Sequence, residues 1–164
     1  MPPPPTIVDQ VFYKGADLSF SPEIDASGTV FSDSITTGGA LTILKNHGAN
    51  LIRLRLWHSP ADSHSSLPEV LNFAQQIKSA GLSFLLDIHY SDTWADQGQQ
   101  SPPAAWASLD FSQLEDSIYQ YSKNVLSAFR DQNTLPDIVQ IGNEVNIGFL
   151  WDEGKVNWSD ESTW

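Results

Sequence analysis

Residues 138–144 read Ile138-Val139-Gln140-Ile141-Gly142-Asn143-Glu144. A short apolar run follows Pro136 and closes on a glycine, an amide and a carboxylate. Such a run suits a strand covered on both faces, as in a parallel sheet wrapped by helices. A carboxylate at the C-terminal end of such a strand sits where α/β barrels carry their catalytic groups. Read locally, Glu144 is equally a first-turn helix acid or a solvated loop charge, so the rest of the chain has to decide.

Upstream segments repeat the pattern. Val11 to Asp17 alternates as a strand, with Tyr13, Gly15 and Asp17 on one face and Gly15 leaving room for a close neighbour. A polar loop with Pro22 and Gly28 leads to a predicted helix over Thr36 to His47, stopped by Gly48. The second strand, Asn50 to Trp57, places Leu51, Arg53, Arg55 and Trp57 on one face and Ile52, Leu54 and Leu56 on the other. Two arginines on a covered face need acceptors, because an unpaired buried charge is costly. They point into a site lined with carboxylates, or else they are surface charges on an edge strand.

Ser66 and Glu69 have capping-box spacing with Pro68 in the first turn, and Val70, Phe73, Ala74 and Ile77 form a helical stripe ended by Gly81. The third strand, Leu82 to Tyr90, carries Asp87 and His89 on one face at its end. A loop from Ser91 to Leu109 holds Trp94 and Trp106; its length marks it as functional or disordered, and the two tryptophans favour order. A helix over Phe111 to Asp131 buries Leu114, Ile118, Tyr121, Val125 and Phe129, with Ser112 and Glu115 at capping-box spacing.

Strand–helix repeated three times before a fourth strand means a parallel α/β sheet with right-handed crossovers. Polar side chains collect at one end of every strand, and no Gly-rich phosphate loop is present, so a barrel face fits better than an open doubly wound sheet.

Composition narrows the chemistry. The 164 residues carry a formal charge of −12, which argues against nucleic acid and anionic membrane as partners. Hydrophobic residues make up 40% and Trp numbers six, a folded composition. There is no Cys, hence no disulfide and no Cys-based metal site. Asp87, His89 and Asp92 are metal-compatible in type, but nothing fixes three ligands in a recognisable spacing, so no metal and no cofactor are expected. His58 and His64 fall in a polar loop and read as solvated. No stretch is apolar for the length of a bilayer. Met1 and Pro2 to Pro5 read as the start of an extended, disordered leader over 1–10, ahead of one domain over 11–164, and lack the basic and apolar regions of a secretory signal.

Tryptophans among carboxylates, amide and arginine suit a neutral sugar: aromatic faces stack on the C–H face of a pyranose and the polar groups bond its hydroxyls. Glycosidic cleavage needs two carboxyl groups, held about 5–5.5 Å apart in retaining enzymes. Glu144 is the candidate acid/base, a group whose pKa has to be raised to keep its proton.

Four blocks carry a resemblance to a known family: Lys14-Gly-Ala-Asp-Leu-Ser19, Ile52-Arg-Leu-Arg-Leu-Trp57, Asp87-Ile-His-Tyr-Ser-Asp-Thr-Trp-Ala-Asp96 and Ile141-Gly-Asn-Glu144. They resemble glycoside hydrolase family 53, the arabinogalactan endo-β-1,4-galactanases, which are retaining (β/α)8 barrels. The resemblance implies that Glu144 is the acid/base and that Asn143 helps hold the sugar. It implies that Asp17, Arg55, Trp57, Asp87, His89 and Trp94 line the sugar subsites and that Trp151 covers the substrate. It implies a polysaccharide substrate, the galactan side chains of pectin, and an extracellular protein. The Asn157-Trp158-Ser159 sequon is usable in that setting.

The family's nucleophile is a Glu ending strand seven, and neither Glu153 nor Glu161 can occupy that place. A barrel of this kind runs to about 250 residues. The chain therefore reads as the N-terminal half, strands one to four, carrying the acid/base but not the nucleophile and lacking turnover alone. Two other readings stand beside it: a non-catalytic sugar binder using Trp57, Trp94 and Trp151 as platforms, and a related glycosidase acting on mannan or glucan.

Overall fold

The computed structural model describes residues 12–160 and 162. The Pro-rich leader and Val11 lie outside them. Four parallel strands form one sheet: β1 (Gly15–Asp17), β4 (Leu51–Leu56), β5 (Ser83–Ile88) and β6 (Ile138–Ile141), in that order across the sheet. β2 (Phe31–Ser32) and β3 (Thr37–Gly38) make a small antiparallel pair beside it. The helices are α1 (Ser21–Ala26), α2 (Ala40–Asn46), α3 (Leu67–Ser79) and α4 (Phe111–Asp131). Sequential parallel strands joined by helices match the arrangement expected for the first half of a (β/α)8 barrel.

Alternation within each strand divides the sheet into two faces. Ile52, Leu54 and Leu56 of β4 and Phe84, Leu86 and Ile88 of β5 are 2% exposed or less and pack beneath α3 and α4. α3 contributes Val70, Phe73, Ala74 and Ile77, the stripe read from its sequence, and α4 contributes Leu114, Val125 and Phe129. Phe129 meets Phe84 with ring centroids 5.5 Å apart. Each such side chain, fully buried, contributes about 1.5–3 kcal/mol, so this layer carries the fold. Gly15 sits so close to β4 that a Cβ there would lie 2.9 Å from the Leu51 carbonyl oxygen.

Several local readings change. The segment 36–47 is helical only from Ala40, because Asp33 Oδ1 accepts from the amides of Ile35 (2.7 Å) and Thr36 (2.6 Å) and folds the β2–β3 turn. Gly38 and Gly39 then delay the helix. The polar loop after β1 contains α1, started by Pro22 in its first turn. Ser66 makes no side-chain cap; Glu69 instead accepts from the Ser65 amide at 2.6 Å and pairs with His64 at 3.0 Å. The cap of α4 is Asp110 with Gln113, two residues ahead of the pair read from sequence.

Neither histidine is simply solvated. His58 packs on Trp106 and Tyr121 at 4.8 and 4.7 Å, and burial pushes its pKa down. The bond to Glu69 pushes that of His64 up. Among the described residues β1 and β6 are the two edges of the sheet.

Candidate active site

The C-terminal ends of β1, β4, β5 and β6 converge on one guanidinium. Arg53, on β4, donates through Nη1 to Asp17 Oδ2 at the end of β1 and through Nη2 to Asp87 Oδ2 on β5. The same Nη2 donates to Asn143 Oδ1 (2.9 Å), just past β6, and Nε lies 3.4 Å from Gln140 Oε1 within it. The register explains the reach: Asp17 pairs with Arg53, and Asp87 pairs with Arg55 and Gln140, one step further along the strands. A planar cation with donors on three nitrogens can serve acceptors from three neighbours at once.

Arg53 is thus the arginine that joins the carboxylates. Arg55, expected to line a sugar subsite, is only 4% exposed and takes another role. Its Nε donates to Ser65 Oγ at 2.8 Å, and its guanidinium lies against the rings of Phe20 (4.1 Å), Trp94 (4.3 Å) and Trp57 (4.8 Å). Burial pulls its pKa down from the ordinary arginine value, while the charge is retained and is met by ring faces.

Asp87 and His89, also expected to line the site, are buried at 0% and 1% exposure. Arg53 closes over Asp87; Trp57 and Trp94 close over His89. Trp57 Nε1 donates to His89 Nδ1 at 3.2 Å. An indole N–H only donates, so Nδ1 accepts and the neutral ring carries its proton on Nε2. That nitrogen is 2.9 Å from Asp87 Oδ2 but outside hydrogen-bonding alignment, and neither it nor Asp87 Oδ1 makes a hydrogen bond among the described residues.

Glu144 stands at the open end of β6 with its side chain exposed and its backbone at φ 51°. Its Oε2 is 3.3 Å from the amide of Gln97. Asn143 is fixed at both ends of its amide, by Arg53 and by donating to the Ala95 carbonyl at 2.7 Å. The long loop after β5 supplies these contacts. It is ordered by Asp96, which accepts from Gly98 and Gln99, and by Gln100, 2% exposed. Gln100 Nε2 donates to the carbonyls of Asn143 (2.7 Å) and Asp96 (3.1 Å), with that of Glu144 at 3.4 Å. The Gln100 carbonyl in turn accepts from the backbone amide of Trp151, whose half-buried ring lies near the Gly148 carbonyl (Nε1 at 3.3 Å) and 4.1 Å from Lys155 Nζ.

The structure brings Glu144, Asn143, Asp17, Trp57 and Trp94 to one end of the sheet. Trp94 is 44% exposed, and its chain neighbour Ala95 accepts the Asn143 side chain. Gln100 and Gln140 carried no local sequence signal, and Arg53 differed from Arg55 only by its place in the register. Among the described residues no cluster of three or more His, Asp and Glu is arranged to hold a metal ion.

A family model described as glycosyl hydrolase family 53 matches residues 13–164. The chain belongs to that family. The family 53 chain is 38% identical over 159 residues to an arabinogalactan endo-beta-1,4-galactanase of Cellvibrio japonicus, covering 93% of this chain and 42% of that one. It superposes on the GH53 catalytic domain of Ignisphaera aggregans with a TM-score of 0.83 at 41% identity, covering 88% of this chain and 42% of that one. On a structure of fungal beta-1,4-galactanases the TM-score is 0.85 at 36% identity, with 88% and 44% covered. This family 53 chain therefore spans less than half the length of the relatives it matches, and the four-stranded sheet is part of their barrel.

Proposed function

We propose that this chain contributes the acid/base half of an endo-acting β-1,4-galactanase site. The observation that carries the reading is the placement of Glu144: an exposed carboxylate just past β6, beside an Asn143 amide held from both sides, by Arg53 and by Ala95, the chain neighbour of the half-exposed Trp94. In this reading Glu144 gives its proton to the glycosidic oxygen as the bond to the anomeric carbon breaks. It then takes a proton from the water that releases the sugar.

The nucleophile is a second carboxylate about 5–5.5 Å away. Asp87 does not fill that role, since it is 0% exposed beneath Arg53, and Asp17 ends β1, at the opposite edge of the sheet from β6. The partner belongs to the portion of the relatives that this chain does not span. The substrate is the β-1,4-galactan of pectin side chains, a polymer too large to enter a cell, and the site of action is extracellular. The exposed Asn157-Trp158-Ser159 sequon is compatible with that location.

Titration of residues 1–164 with β-1,4-galacto-oligosaccharides, followed by Trp fluorescence, tests the binding half. Saturable binding stronger than that of manno- or gluco-oligosaccharides supports the reading, and no binding to the galactose series overturns it. The catalytic half makes a second demand. Steady release of reducing ends from galactan by 1–164 alone, abolished in Glu144→Gln, would overturn the assignment of the second carboxylate to other sequence.

A further inference from the structure

Phe20 follows directly on the Lys14-to-Ser19 block and is 48% exposed, a large apolar ring left in solvent at the catalytic end of the sheet. Its neighbour is Trp94, with ring centroids 6.1 Å apart and planes tilted by 43°. Both rings present a face to the Arg55 guanidinium, at 4.1 and 4.3 Å. Arg55 is itself immobilised: its Nε bonds Ser65 Oγ, and its backbone amide bonds Ser19 Oγ at 2.9 Å. Ser65 holds a left-handed backbone, φ 57°, and its amide donates to Glu69. Two half-exposed aromatic rings are therefore fixed side by side on one buried cation.

Order along the face gives these rings a direction. Ala95, next to Trp94, accepts the Asn143 side chain, which adjoins Glu144. Trp94 then touches Phe20, which lies just past the end of β1. The chain of contacts runs from Asn143 through Ala95 to its neighbour Trp94 and on to Phe20, and the 6.1 Å spacing of the two rings is of the order of one pyranose unit. Rings held rigid before binding lose little conformational freedom on stacking, which favours affinity.

We propose that Phe20 is a second sugar-stacking residue, extending the Trp94 platform to a more distant pyranose of the bound β-linked hexose chain. The inference rests on the galactan-binding reading above. It adds a length dependence: oligosaccharides long enough to reach Phe20 gain a contact that a disaccharide at Glu144 does not make.

The test is a titration of residues 1–164 with β-1,4-galactobiose through galactopentaose, comparing the wild type with Phe20→Ala and Phe20→Trp. Removing one stacked ring face weakens the longer oligosaccharides by about tenfold. Galactobiose is bound equally by wild type and Phe20→Ala, and Phe20→Trp restores the affinity for longer chains. Thermal unfolding midpoints show that the half-exposed substitution leaves the fold intact. If Phe20→Ala unfolds early, Phe20→Leu replaces it, keeping apolar bulk without a ring and giving the same expected loss. Wild-type binding whose length dependence is unchanged in the variant overturns the proposal and leaves the galactan reading standing. A wild type that binds no galacto-oligosaccharide of any length overturns both.

Discussion

Arg53 on β4 and Asp87 on β5 form an ion pair in which the carboxylate is fully buried and the guanidinium is about one quarter exposed. Among the described residues Arg53 is the cation paired with Asp87, and the neutral imidazole of His89 lies on its other side. Replacing Arg53 with Met keeps much of the volume and leaves that buried carboxylate without its arginine. The expected loss is about 3–5 kcal/mol, the usual result of breaking a buried pair from one side. Urea unfolding of Arg53→Met measures it. Removing both partners, as in Arg53→Met with Asp87→Asn, recovers part of the loss, because the uncompensated charge is gone.

Gln100 has a different task. Its side-chain amide holds the carbonyls around Asn143, and alanine would leave those acceptors without their donor. Gln100→Ala is expected to lower stability by about 1–3 kcal/mol. It also weakens galacto-oligosaccharide binding, since Asn143 loses one of its restraints. Calorimetry on the free and the oligosaccharide-bound chain separates the two effects.

Acid stability has a local component at Asp33. Backbone N–H donors from Thr36 and then Ile35, followed by the bond to His47, hold its pKa down from 3.8 to about 2. A depressed folded pKa gives stability that is fully present above the unfolded value near 3.8 and is lost as pH falls through about 2. Unfolding followed from pH 5 to pH 2 therefore has a shallower slope in Asp33→Asn than in the wild type. The substitution also loosens the β2–β3 turn at neutral pH.

Gly15 gives the most local prediction. A methyl group there would meet the Leu51 carbonyl at 2.9 Å, and that atom is backbone in a paired strand. Gly15→Ala is expected to lose about 1–3 kcal/mol by forcing β1 away from β4. A lower thermal midpoint with unchanged helix content by circular dichroism is the outcome sought.

The parts of the fold that depend on periodicity were legible without coordinates. Val70, Phe73, Ala74 and Ile77 announce one helix face, and Ile52, Leu54 and Leu56 one strand face, because burial repeats with the backbone. The strand before Glu144 was legible as an apolar run, but β6 ends at Ile141 and that run is half-buried to exposed rather than covered on both faces. What sequence could not separate was Arg53 from Arg55, since both lie on the same side of the same strand. The side-chain contacts decide it: Arg53 finds the carboxylates of Asp17 and Asp87, while Arg55, though the register partner of Asp87, finds three rings. The caps failed for a related reason: Ser112 and Asp110 both have an acceptor partner three residues on, and Ser112 already lies inside the first turn. Gln100 was invisible, because a buried amide in a polar loop resembles every solvated one.

Residues 138–144 do not stand alone as a unit. Asn143 is gripped by Ala95 and Arg53, and the turn behind it by Gln100, all from other segments of the chain. Transplanting the Ile138-to-Glu144 segment into another barrel would move the acid and leave its three holders behind. The short motif is a label for the site, while the portable module is the strand together with residues 91–109 and Arg53.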